Sequence, residues 1–189
     1  MSEKYKVGAG ETMGADVIRG AGVATRAAME NTYVLECFGR DGKRKWVEHI
    51  VNLVTSEGLD DLLTNYLKGS GYTAAFYVGL TDGTPTVAAG DTMASHAGWA
   101  EVVAYDEATR EVLTLGSVAT QSVDNSASKA SYAINADTTT VGGAFITTNS
   151  TKSGSTGTLY GVGAFTGGDK AVDDGDTLNV TVTLTAATA

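Results

Sequence analysis

The chain closes on a two-residue hydrophobic period, and this is its strictest constraint. Leu178, Val180, Val182 and Leu184 alternate with Asn179, Thr181, Thr183 and Thr185. Only an extended strand sends alternate residues to opposite faces, so one row is made to be buried and the other to meet a more polar environment. A helix would scatter the same four apolar side chains around its circumference. Shorter runs of the same kind recur upstream, at residues 75–80, 98–105, 111–115, 116–119, 130–135, 142–147 and 158–165. Glycine-rich turns separate them, including Asp82-Gly83. Short strands punctuated in this way suggest an antiparallel sandwich or barrel, and the fold expected is a mainly β, jelly-roll-like antiparallel β-sandwich. The tract from Thr147 to Gly157 is rich in Thr, Ser and Gly and reads as an exposed loop.

A hairpin precedes these strands. Tyr33 to Phe38 is a β-rich run, Gly39-Arg40-Asp41-Gly42 is a turn, and Lys43 to Val54 returns. Asp-Gly between hydrophobic runs is a strong short-range hairpin signal. The tip carries Arg40, Lys43, Arg44 and Lys45, which suit either a solvated turn or a contact with an acidic neighbour. Residues 56–68 predict the single helix. Leu59, Leu62, Leu63, Tyr66 and Leu67 fall at helical spacing, Thr55 or Ser56 can cap the start, and Gly69 or Gly71 can end it. The stripe is expected to pack into the core.

Residues 1–32 have no clean period, and five glycines break them up. They read as an extended N-terminal arm attached to a body at 33–189. Its candidate contact residues are Val17, Ile18, Arg19, Val23, Arg26 and Met29. Charge divides along a similar line. Residues 1–50 hold 8 of the 13 Lys and Arg and 7 of the 22 Asp and Glu, leaving 5 and 15 for the remainder. So acidic a body repels phosphate backbones, and nucleic acid is not expected as a partner. It suits a basic protein surface, or simple solubility.

Candidate chemistry is sparse. His49 lies in a predicted strand and His96 in a loop beside Ser95, and adjacency does not make a catalytic triad. Cys37 is the single cysteine and reads as buried and inert. Asp169, Asp173, Asp174 and Asp176 cluster without the pattern of a calcium loop. Gly161-Val162-Gly163 lacks the remainder of a dinucleotide fingerprint. No enzyme activity, cofactor or metal is expected, and no apolar run reaches membrane-helix length.

Several segments bring a family into view. Lys45-Trp46-Val47-Glu48-His49-Ile50-Val51-Asn52-Leu53-Val54-Thr55-Ser56-Glu57-Gly58-Leu59 resembles a segment of small virion proteins of tailed bacteriophages. Tyr77-Val78-Gly79-Leu80, the stretch from Ala89 to Trp99, the stretch from Val123 to Lys129 and the Gly175 to Val180 run are similar too. The resemblance spans roughly residues 33–189. It implies a virion structural protein, assembled in the host cytoplasm, with the major capsid protein or other virion proteins as partners and self-association into a homo-oligomer. Within that class the leading expectation is a capsid decoration or cement protein anchored by its arm. A tail, neck or fibre-base component is the alternative. A carbohydrate-binding module using Trp46, Trp99 and the tyrosines is a third reading.

Overall fold

The computed structural model describes residues 27–68, 71 and 75–188. The elements run β1 (Ala27–Phe38), β2 (Arg44–Val54), α1 (Ser56–Asp61), a π-helical turn (Leu62–Leu67), β3 (Tyr77–Asp82), β4 (Ala100–Glu101), β5 (Glu111–Val112), β6 (Ser122–Asp124), β7 (Ala130–Ala133), β8 (Thr139–Val141), β9 (Gly143–Thr147), β10 (Leu159–Ala164), β11 (Lys170–Val172) and β12 (Thr177–Thr188). The protein is mainly β and antiparallel, as its alternating segments require.

The hairpin forms where its turn chemistry puts it. Gly42 takes a φ of 73°, a left-handed conformation that a residue without Cβ adopts freely. The alternation of the last strand is realised in full. Leu178, Val180 and Val182 are buried, and Leu184 packs partly buried against the same core. β1 pairs with β12 along its whole length, and Tyr33, Leu35 and Cys37 extend the buried face.

Among the described residues ten strands make one continuous sheet, ordered β4-β3-β9-β10-β2-β1-β12-β6, with β5 on β3 and β7 on β12. β8 and β11 form a separate pair. The expectation of a two-sheet sandwich gives way to a single sheet curled into a half-barrel. Its core lies between its own wings. The segment from Val102 to Asn135 links them at one end. The Val102 amide donates to Leu80 O at 2.9 Å, the Asp106 amide to Ala133 O at 2.9 Å, and the Tyr132 hydroxyl to Val78 O at 2.7 Å. β7 and β3 are thus tied across the core, and Val141 of β8 and Val172 of β11, both fully buried, add the small second sheet to its cover.

Two boundaries differ from expectation. Residues 27–32, Met29 included, are not arm: β12 runs on to Thr188 and gives them a strand partner. Val17, Ile18, Arg19, Val23 and Arg26 lie outside the described residues. In residues 116–119 only Ala119 makes a bridge, to Ser122, so the expected strand there is a loop.

Candidate functional site

The helix begins on a well-made cap and departs from its expected role within two turns. The Thr55 hydroxyl accepts from the Gly58 amide at 3.1 Å and donates to the Leu159 carbonyl. The Glu57 carboxylate accepts from the Leu159 amide at 2.9 Å. Gly58 sits directly on β10, where an added Cβ would lie 2.5 Å from the Tyr160 carbonyl oxygen. These contacts anchor the first turn to the sheet. Beyond Asp61 the backbone widens into the π-helical turn, with the Lys68 amide bonded to Leu63 O at 2.9 Å. A wider turn no longer stacks residues at 3.6-residue spacing. The stripe expected in the core is therefore splayed outward. Leu59 and Leu63 are exposed, and Tyr66 and Leu67 are 74% and 69% exposed. Only Leu62 of the five is drawn toward the sheet, at intermediate burial.

An apolar groove opens beside this face. Leu62, Tyr66, Phe76, Leu113, Leu115, Ile146, Tyr160 and Leu184 line a cavity of about 180 Å³, with Asp61 and Asn65 at its rim. Leu113 and Leu115 bring the Val102–Asn135 segment to its wall. Here the sheet forks. β1 and β2 pair from Phe38 and Arg44 as far as Asn31 and Asn52 and then separate. β2 continues with β10 through Leu53 and Val54, while β1 continues with β12. Two asparagines stand at the fork. Asn31 is fully buried and, among the described residues, neither its Nδ2 nor its Oδ1 has a partner. Asn52 donates to the Tyr33 hydroxyl, but among the described residues its Oδ1 is unpaired. Burial pushes the Tyr33 hydroxyl pKa well above the ordinary tyrosine value, so it stays protonated. Unpaired buried amides are rare in folded proteins, which sets this corner apart.

The basic hairpin tip is engaged within the chain. Arg40 binds Asp174 by both side chain and backbone carbonyl. Lys45 reaches Asp176 at 2.6 Å and Asp173 at 3.3 Å. Arg44 pairs with Glu36, and Lys43 with Asp41. The Asp173–Asp176 turn is thereby a counter-charge for the hairpin tip. Asp169 stands apart from it, accepting from the Thr84 hydroxyl. Among the described residues no group of three or more His, Cys, Asp or Glu is placed to hold a metal ion, and no helix is long and apolar enough to cross a membrane.

The other candidates, His49 apart, are occupied by packing. Cys37 is buried, and burial followed by the charge of Asp176 pushes its thiol up to about 12. His49 points outward from β2 and is exposed. His96 stacks on Trp99 with ring centres 3.8 Å apart, and Phe145 leans on the same indole at 5.0 Å. Trp99 is therefore packed against two rings and is buried. Trp46 is half-buried, edge-on to Phe165. Neither tryptophan offers the open platform that a sugar ring needs.

One cluster has no local signal in the sequence. Arg110 and Glu101 form a bidentate pair, both bonds 2.7 Å long, with side chains 0% and 6% exposed. Arg110 also donates to Asn149 O at 2.8 Å and Gly154 O at 3.1 Å, and Glu101 accepts from the Ser153 amide at 2.7 Å. The Thr/Ser/Gly-rich tract is thus tied down from beneath by an ion pair. Four of the five guanidinium N–H groups and both Glu101 oxygens are engaged, so the cluster reads as a structural clamp.

Comparison with protein-family models, curated proteins and solved structures gives no match.

Proposed function

We propose that this chain is a non-enzymatic structural component of a tailed-bacteriophage particle and that it decorates the head shell as a cement protein. It acts through contacts with copies of itself and with other virion proteins. The observation that carries this reading is the apolar face of the π-helical turn. Leu63, Tyr66 and Leu67 lie exposed beside an open apolar groove. A contiguous apolar surface of this kind is unfavourable in water and suits a surface that another chain covers. Cys37 and His96, considered for catalysis, are engaged in packing, and His49 stands alone on the exposed face of β2. The resemblance of residues 33–189 to small virion proteins supplies the setting. The acidic surface of the body suits a basic patch on a shell protein.

The test is immunogold labelling of purified particles with antibody to the full chain, read by electron microscopy. Label over the whole head is expected. Label confined to the tail, neck or fibre base would reassign the chain to that structure. Particles free of label would overturn the virion reading.

A further inference from the structure

We propose that the groove beside the π-helical turn is the seat of the segment 13–26 of a second copy of this chain, laid in extended and bonded through its backbone at the fork of the sheet. This inference rests on the assembling role proposed above and names the partner surface.

Three features at this end of the sheet select an extended peptide. The groove is lined by apolar side chains, among them Tyr66, Phe76, Leu115, Tyr160 and Leu184. Asn31 stands opposite Leu184 in the strand register and shares its face of the sheet; its carboxamide is fully buried beside the groove and, among the described residues, has no partner for its acceptor or its two donors. Finally, among the described residues, Ala27–Glu30 pair with β12 on one side and have no strand partner on the side that β2 has left. Such an edge accepts an added strand by main-chain bonding, while the groove takes alternate side chains.

The occupant follows from charge and from where the described chain begins. Asp61 of α1 stands at the rim, and Glu57 and Asp60 precede it on the same short helix. Segment 13–26 combines Met13, Val17, Ile18 and Val23 with Arg19 and Arg26 against the single acid Asp16. It is thus apolar with a net positive charge, the complement of an acidic-rimmed apolar groove. The ribbon formed by Ala27–Glu30 and β12 runs four residues past the last β1–β2 pair, about 13 Å at strand rise. The N-terminal segment leaves from the tip of that ribbon. Folded back on its own β1 about the turn signal Gly20-Ala21-Gly22, it would set Val17 opposite Thr25, beyond the ribbon tip and short of the groove. The neighbouring copy's segment needs no such reversal. Each copy then donates one segment and accepts another, a head-to-tail contact that makes rings or open chains.

Sedimentation velocity of the full-length purified chain over a hundredfold concentration range tests this, with two full-length variants. Val17→Asp/Ile18→Asp spoils the donated segment and leaves the groove intact. Tyr66→Asp spoils the groove at an exposed position. The native chain is expected to associate with rising concentration, and each variant alone to remain monomeric. The two variants mixed are expected to form a one-to-one dimer, since one intact segment and one intact groove remain. A native chain that is monomeric throughout, a Val17→Asp/Ile18→Asp chain that associates like the native one, or a mixture that forms no dimer would each overturn the proposal. A labelled peptide of residues 13–26 supplies a second readout by fluorescence anisotropy. It should bind the Val17→Asp/Ile18→Asp chain at least tenfold more tightly than the Tyr66→Asp chain, and equal binding to both would also overturn it. These measurements use no particles, so their failure leaves the head-labelling result to decide the virion reading separately.

Discussion

Replacing Arg110 with leucine should be among the most damaging single changes in the body. The guanidinium is wholly buried and bonded to both oxygens of Glu101 and to the carbonyls of Asn149 and Gly154. It also stands 5.2 Å over the Phe145 ring. Leucine fills part of the space but leaves the Glu101 carboxylate buried without its counter-charge. Removing one partner of a buried ion pair costs about 3–5 kcal/mol. With a urea slope of about 2 kcal/mol/M for a domain of this size, the unfolding midpoint should fall by about 2 M with the slope unchanged. Arg110→Lys keeps the charge but loses the two-pronged fit, so it should fall between native and Arg110→Leu. Adding Glu101→Leu to Arg110→Leu should recover part of the loss, because both buried charges are then gone. The measurement is equilibrium urea unfolding followed by tryptophan fluorescence. A midpoint change below about 0.5 M for Arg110→Leu would mean that the pair is solvated and does not clamp the loop.

Other expectations follow from the same interior. The Cys37 thiol should be inert to a thiol reagent at pH 8 in the folded protein and react fully in denaturant, since burial both hides it and raises its pKa to about 12; labelling at a model-thiol rate in the native state would contradict this. Glu36 is held below the ordinary carboxylate range first by its bond from Lys129, and Asp173 first by the Thr138 amide and then by Lys45. Both bind a proton less well folded than unfolded, so their contribution is complete above about pH 4 and is lost as pH falls through the depressed values. Tyr33 and Tyr132, raised by burial, and Lys45, raised by its bond to Asp176, bind a proton more tightly when folded. Their contribution is present below about pH 10 and lost above it. Urea midpoints across a pH series should thus fall at both ends, and a midpoint that climbs above pH 10 would refute the alkaline half. Asn31→Leu should raise the stability of the free chain by about 1 kcal/mol by removing an unpaired buried amide; a loss of that size would mean that the amide is satisfied. Gly58→Ala should lower stability by about 1–3 kcal/mol, because its Cβ meets the Tyr160 backbone; an unchanged midpoint would show that the helix can lift off β10.

The strands were legible where a local rule sufficed. The alternation of residues 178–185 and the Asp41-Gly42 turn state their structure in a few residues, and both form. The closure of the sheet was not legible, because it depends on Tyr132 meeting Val78 and Tyr105 meeting Ile134 across the core. The helix was legible in position but not in role. Leu59, Leu63 and Leu67 carry the spacing of a buried stripe, yet anchoring at Gly58 and Glu57 and the widening after Asp61 turn that stripe outward. The acidic turn at Asp173–Asp176 and the basic hairpin tip were each visible, but their pairing across more than a hundred residues was not. Arg110 and Glu101 resemble surface charges in sequence, and only the fold brings the loop carbonyls to them.

The central claim is that this chain is a repeated part of the particle surface. Quantitative mass spectrometry of purified particles measures it directly, as the amount of this chain relative to the major shell protein. An amount comparable with the shell protein is expected, and it should remain after washes that remove loosely bound protein. Its absence from washed particles would contradict the claim.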